Sequence, residues 1–301
     1  MPEGHVLHRL ARDLNHHFAD RPIVIASPQG RFDVVPLQGM RMVEAEARGK
    51  QLFLHFARPR PRVNAETFNP PTSVAGGPAP TAGGVSAGLE HCLDEAIVHI
   101  HLGLIGTFRF EDPIDLTGQI RFRLATPEIA AHLRGPQWCR IITPMEYKRA
   151  VAKLGADPLI PGEDPSAVLG KVMRSTKPAA SLLMDQALFA GVGNIYRAEV
   201  LFRQHVDPFT PGREIDGALW RQMWEDLVEL MEVGVTRGRI DTVDEQHTPE
   251  AMGRPPRKDD HGGEVYVYRR AGQSCYVCGA EIKMQPFEGR NLFYCPGCQV
   301  H

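Results

Sequence analysis

The chain has 301 residues, 43% of them hydrophobic, and a formal charge of -2, a composition that suits a globular protein with two domains and real cores. It lacks the run of ~18 to 20 apolar residues that a spanning helix needs and an apolar signal-peptide core at its N-terminus. A reducing cytoplasm is therefore the expected compartment, where six cysteines point to metal or free thiols rather than disulfides, and any nucleic-acid binding must come from local patches.

The first four residues are Met1-Pro2-Glu3-Gly4. Methionine removal would expose Pro2 as a secondary amine. An α-amino group titrates near about 7.7 to 8.0, so part of it is a free nucleophile at neutral pH, able to form a Schiff base with a carbonyl carbon. Glu3 stands beside it as a proton donor or acceptor. Many chains begin Met-Pro, so these residues need support from elsewhere. Leu7, Leu10, Ala11, Leu14 and Phe18 recur at three- and four-residue steps and predict an amphipathic helix with Pro2 and Glu3 at its N-terminal end. The partial positive charge there favours the neutral amine. His16 and His17, at the far end, read as solvated.

Strand-like runs follow at Ile23 to Ala26, Met40 to Ala45 and Gln51 to Phe56, separated by Gly, Pro and Asp turn signals. Lys50 lies in the turn before the third and by itself reads as a surface lysine. Arg58 to Gly88, with six prolines and five glycines, reads as a flexible insertion, because Ala96 to Phe110 resumes β-rich sequence of the same character. His99 and His101 share one face of that strand, and without a third ligand they read as core or turn histidines. Ile120 to Leu124 alternates again, so strands outnumber helices up to about Thr143, and an antiparallel sandwich is their natural packing.

Beyond Thr143 the pattern turns helical, with segments predicted at Pro144 to Leu154, Pro165 to Met173, Ser181 to Phe189, Ile195 to Gln204 and Glu214 to Val233. The turn Gly191-Val192-Gly193-Asn194 exposes backbone N–H groups at a helix start and, with the Asn194 amide, suits a phosphate; alone it is also an ordinary helix–helix turn. Gly238 to Gly263 is polar and reads as a linker or mobile loop. Cys275 and Cys278, then Cys295 and Cys298, match zinc-ribbon spacing. Four thiolates leave no open position, which argues for one structural Zn2+. Cys92 and Cys139 are left over as buried free thiols. Glu288 to Asn291 forms the expected tip of a hairpin that can hold Arg290 out toward a phosphate.

An N-terminal Pro-Glu, a Gly-Lys before a strand, a Gly-Val-Gly-Asn turn and a four-cysteine hairpin with an arginine at its tip occur here in one order. In that order the chain resembles the formamidopyrimidine-DNA glycosylase/endonuclease VIII family from end to end, except in Arg58 to Gly88 and Gly238 to Gly263. The Pro-Glu-Gly opening is similar to the endonuclease VIII branch. The resemblance implies an α+β multidomain fold: a β-sandwich with a leading helix over 1–142, a helix-two-turn-helix domain over 143–237, the linker over 238–263 and a zinc finger over 264–301. It implies a bifunctional DNA glycosylase/AP lyase, acting as a monomer on double-stranded DNA that contains oxidised bases or abasic sites.

At matching positions the resemblance implies that Pro2 attacks C1′ and that Glu3 acts as acid/base. Lys50 assists phosphate binding and β-elimination, Asn194 holds phosphate, and Arg290 serves δ-elimination. Leu104 matches the wedge that fills the gap left by a flipped base. The chain departs from the formamidopyrimidine branch in having no Asp-Pro-Arg-Arg-Phe-Gly run between Leu124 and Trp138, and in Ala180, where that branch has lysine. The Pro2-Glu3-Gly4 opening together with the missing run favours oxidised pyrimidines as substrate over 8-oxoguanine. The rival readings are an 8-oxoguanine/formamidopyrimidine glycosylase, a non-catalytic damaged-DNA-binding protein and a zinc-dependent hydrolase. Simple binding needs no N-terminal proline, and a catalytic zinc needs a ligand set with an open position.

Overall fold

The computed structural model describes residues 2–59, 94–258 and 263–300. Most of the predicted Arg58 to Gly88 insertion, and Cys92, lie outside the described residues. Helix α1, Gly4–Phe18, forms where the periodicity predicts it, and Leu7, Leu10, Ala11, Leu14 and Phe18 are all buried. Eight strands follow: β1 (Val24–Ala26), β2 (Arg41–Arg48), β3 (Gln51–Ala57), β4 (Glu95–His101), β5 (Thr107–Glu111), β6 (Ile120–Ala125), β7 (Ala130–Arg134) and β8 (Trp138–Ile142). They make two antiparallel sheets, ordered β1-β6-β7-β5 and β2-β3-β4-β8. Alternating apolar residues of both sheets, among them Met42, Leu52, Leu54, Phe122 and Leu133, close one core with α1, which is the packing that half-buried strands require.

The second core is helical. It gathers α3 (Ser166–Val172), α4 (Ala179–Met184), α5 (Asn194–Arg203), α6 (Gly217–Arg237) and the hairpin β9 (Lys283–Phe287) with β10 (Arg290–Tyr294). Helix α2 (Pro144–Val151) instead packs Tyr147, Ala150 and Val151 against Phe53, Ile97 and Ile142 of the strands, and the short α7 (Pro249–Met252) lies beyond α6 in the chain. Helix α2 starts with a capping box between Thr143 and Glu146, and α6 stops at Gly238 in the left-handed conformation. Trp220, Met223 and Leu227 of α6 pack in the same cluster as Leu201, Phe202, Val267, Leu292 and Cys295. The cysteine hairpin is thereby bound to the helices by apolar burial. No helix among the described residues is long and apolar enough to cross a membrane.

Two expectations are corrected. The helix predicted over Ser181 to Phe189 ends at Met184, because the Asp185 carboxylate accepts the Ala187 N–H and turns the chain. The segment Gly238 to Gly263, predicted as a linker, is anchored where it is described. Ile240 and Thr242 are buried, and a short 3-10 turn and α7 follow. The Thr242 hydroxyl donates to the buried Glu199 carboxylate at 2.6 Å, which also accepts the Tyr266, Val267 and Tyr268 N–H groups at 2.7 to 2.9 Å. A buried carboxylate with four donors is satisfied, and it holds two chain segments side by side. Polar composition concealed this anchor.

Candidate active site

Three segments distant in sequence meet backbone to backbone at Gly4, Gly49 and Gly191. The Gly4 N–H donates to the Gly191 carbonyl at 2.9 Å, and a side chain at Gly191, whose φ is +89°, would sit 3.4 and 3.5 Å from the Cα atoms of Gly4 and Gly49. Gly49 opens the two-residue turn between β2 and β3, where a positive φ matches the twist of a hairpin. Its N–H donates to Asp157 at 2.7 Å, and the same carboxylate oxygen meets His8 of α1 at 3.0 Å. This junction brings Pro2, Glu3, Lys50 and Asn194 together.

Glu3 is 1% exposed. It begins α1 without capping it; its carboxylate instead accepts the N–H groups of Ile195, Gly193 and Tyr196 at 2.8, 3.1 and 3.4 Å. Helix α5 has Gly193 at its cap position and no side-chain cap of its own, so Glu3 supplies from afar the acceptor that a helix N-terminus lacks. Gly193 must be glycine, because a Cβ there would lie 2.3 Å from the Glu3 carboxyl carbon. Burial raises the Glu3 pKa above the ordinary 4.5, opposed by Lys50 and by the three N–H donors.

Lys50 is held inward by its bond to the Val192 carbonyl at 2.7 Å. Burial pulls its pKa from 10.5 to about 8; Arg290 and Arg197 act in the same direction, and Glu3 opposes them. The Asn194 amide donates to the Asn291 carbonyl at 3.0 Å and accepts from Arg197, joining the start of α5 to β10. Glu288 and Gly289 turn the hairpin with positive φ, and the Glu288 carboxylate accepts the Ser181 hydroxyl at 2.7 Å. Arg290 follows as the first residue of β10. Glu3, Leu104, Asn194, Ile195, Tyr268, Arg269 and Arg290 line one cavity of about 280 Å³. Pro2 is half-buried one residue before Glu3.

The four cysteine sulfurs lie within 4.8 Å of one another, with Cys275 to Cys298 at 3.8 Å and Cys278 to Cys295 at 3.4 Å. Four thiolates bonded at ~2.3 Å around a tetrahedral ion would stand roughly 3.8 Å apart. The set fits one four-coordinate metal ion. Cys139 is buried, and burial pushes its thiol up to about 12, which makes it inert.

The model of the formamidopyrimidine-DNA glycosylase H2TH domain matches residues 154–245. Endonuclease 8 1 of Mycobacterium tuberculosis is 40% identical over the whole of both chains. The chain belongs to the formamidopyrimidine-DNA glycosylase/endonuclease VIII family. A formamidopyrimidine-DNA glycosylase of Synechococcus is 28% identical over 91% of this chain and 87% of its own. The fold is that of the Lactococcus lactis Fpg solved with DNA containing an abasic site, with a TM-score of 0.70 at 18% identity over 99% of this chain and all of that one. It is also that of the MutM (Fpg) protein of Thermus thermophilus, with a TM-score of 0.66 at 24% identity over 99% and 98%.

Within this family fold Leu104 stands at the cavity rim in the turn between β4 and β5, 67% exposed, beside Ile105 at 82%. His99 is a core residue: its Nε2 meets the Gln51 side-chain oxygen at 2.7 Å and its ring stacks on Phe53. His101 stacks on Trp138 and accepts the Gly103 N–H. Sequence reading missed Tyr268 and Arg269 of the cavity wall, and Arg197, which orients Asn194. Arg269 carries a φ of +54°, a conformation uncommon outside glycine. No periodicity marks it. Only the neighbouring aromatic run Tyr266-Val267-Tyr268 hinted at an ordered segment.

Proposed function

We infer that this protein is a bifunctional DNA glycosylase/AP lyase of base excision repair, with oxidised pyrimidines in duplex DNA as its preferred substrates. With Met1 removed, the Pro2 amine attacks C1′ of an extruded nucleotide, the glycosidic bond breaks, and the base leaves with a proton. Glu3, whose burial favours the protonated carboxyl, serves as the acid and base for sugar opening. The iminium of Pro2 acidifies C2′; Lys50, partly neutral near pH 8, takes that proton as the 3′ phosphate departs. A second elimination, assisted by Arg290, releases the 5′ phosphate.

The observation that supports this reading is the buried Glu3 carboxyl, one residue from Pro2, within the field of Lys50 and sharing a cavity with Arg290 and Leu104. Asn194 would contact phosphate, and Leu104 would fill the gap in the stack. The cysteines would hold a single zinc ion, since an all-thiolate tetrahedral site suits Zn2+ over hard cations. The two domains, 1–142 and 143–237 with the hairpin, would act as one monomer with DNA between them. A saturated pyrimidine stacks poorly, so its extrusion demands less than the few kcal/mol of an intact base. The β6–β7 turn, Thr126 to Ile129, offers no arginines for the partner strand.

Borohydride trapping on matched duplexes carrying thymine glycol, dihydrouracil or 8-oxoguanine tests the reading. The covalent adduct is expected fastest with the pyrimidine lesions and absent or sharply reduced in Pro2→Gly. Undiminished trapping in that variant would move the nucleophile to a lysine, and faster trapping on 8-oxoguanine would reverse the substrate preference while leaving the lyase chemistry intact.

A further inference from the structure

Helix α5 is buried from Ile195 to Phe202, and an arginine stands in that run. Arg197 is 1% exposed and is the fourth residue of a helix whose N-terminal end carries partial positive charge of its own. Its Nε is buried with no hydrogen-bond partner among the described residues, which opposes folding. Burial, and after it Arg290, draw its pKa down to about 10 against Glu288 and Glu3, so it is a cation at neutral pH. Core packing would favour an apolar side chain here, and the reason for an arginine must lie in what it touches.

Its guanidinium donates to the Asn194 Oδ1. An arginine has donors only, so the end of the amide that meets it must be the oxygen. The NH2 end is thereby turned to the Asn291 carbonyl, at 3.0 Å, and because an amide nitrogen carries two hydrogens, one is left for a phosphate. An amide turned the other way would present its oxygen to that phosphate and repel it. The Arg197 guanidinium carbon also lies 5.9 Å from the centre of the Phe287 ring. Phe287 is the register partner of Arg290 across the hairpin, and Asn291 follows Arg290 in β10. One buried side chain thus braces both strands beside Arg290, β9 directly and β10 through Asn194.

We propose that Arg197 is the positioning residue of the elimination steps: it locks the Asn194 amide with its NH2 toward the substrate phosphate and seats the hairpin so that Arg290 meets the phosphate that departs second. The proposal rests on the lyase chemistry inferred above. Arg197 also acts by charge, since burial lowers the Lys50 pKa and the Arg290 and Arg197 cations add to that effect. Substitution separates the two duties.

The test uses the full chain in single-turnover cleavage of a preformed abasic duplex, read as the ratio of δ- to β-elimination product, together with NMR of the free protein that follows the Lys50 titration and the hydrogen exchange of the Asn194 side-chain amide. Arg197→Met removes charge and donor alike. The δ:β ratio should fall ~10- to 100-fold, the scale of a misplaced group, and the Asn194 NH2 should lose its protection from exchange. Lys50 should titrate above its value of about 8, and the melting temperature should hold or rise because a buried charge is gone. Arg197→Lys keeps the charge without the planar fork, so Lys50 should titrate as in the wild type while the δ:β ratio stays low; this variant also serves if Arg197→Met does not fold. A wild-type product ratio in both variants would overturn the proposal, as would an Asn194 amide still protected in Arg197→Met. A lower melting temperature with ratio and Lys50 titration unchanged would make Arg197 a purely structural residue and overturn it too. Absence of cleavage by the wild type would instead count against the inferred lyase chemistry, and the NMR readouts, which need no DNA, would still decide whether Arg197 holds Asn194.

Discussion

Lys50 shows how burial changes what a residue type can do. An exposed lysine at neutral pH is a cation that cannot accept a proton. Here desolvation outweighs the attraction of Glu3, and two arginines add to it, so the pKa falls to about 8. Below that value Lys50 is protonated and suited to phosphate; above it the free amine accepts a proton. The rate of β-elimination from a preformed abasic site should therefore climb with pH through about 8. Lys50→Gln should flatten that limb and slow the step ~100-fold or more, the usual share of a positioned base. Single-turnover product analysis across pH 6 to 10 checks this, and an unchanged profile in the variant would assign the proton transfer elsewhere. Glu3 shifts the opposite way for the same reason, since burial penalises whichever form carries charge.

At the scale of elements, the active site depends on the packing of α1 against the start of α5. Gly4 is the first residue of α1, where alanine would favour the helix by roughly 0.5 to 1 kcal/mol. The added Cβ, however, would stand 2.9 Å from both the Gly191 Cα and the Met231 methyl, and overpacking of that kind costs ~1 to 3 kcal/mol. Packing outweighs propensity. Gly4→Ala should lower stability by about 1 to 2 kcal/mol in urea titration and cut trapping on an abasic duplex, because α1 must retreat and carry Pro2 and Glu3 with it. A variant as active as the wild type would mean that the junction gives way at no cost.

In the whole molecule, two cores are joined by the backbone contacts at Gly4, Gly49 and Gly191 and by side-chain bonds from Glu3, His8 and Lys50, and the hairpin is attached to the helical core by Leu292, Phe293 and Cys295. Metal binding is coupled to folding when ligands come from separate turns, and here the turns at Cys275–Cys278 and Cys295–Cys298 flank the hairpin that carries Arg290. Cys295→Ser should drop bound metal below one ion per chain and abolish strand cleavage. The β-sandwich, whose core lies elsewhere, should stay folded. Metal analysis with thermal unfolding would show this as loss of one transition and retention of another. Full cleavage by a metal-free chain would detach the hairpin from the reaction.

Features set by near neighbours in the chain were readable in the sequence. The face of α1, the antiparallel strands, the phase of α6 and the pairing of four cysteines follow from periods and spacings that local geometry imposes. The order of Pro-Glu, Gly-Lys, Gly-Val-Gly-Asn and the cysteine hairpin further identified the family. What only the tertiary structure decided depends on contacts between residues far apart in the chain. Glu3 caps a helix that starts at Asn194; Lys50 loses its ordinary basicity through burial beside Arg197 and Arg290; and Tyr268 enters the cavity wall on a backbone that Glu199 holds, with Arg269 next to it. Burial and electric field at a point are sums over the folded surroundings, and no local period encodes them.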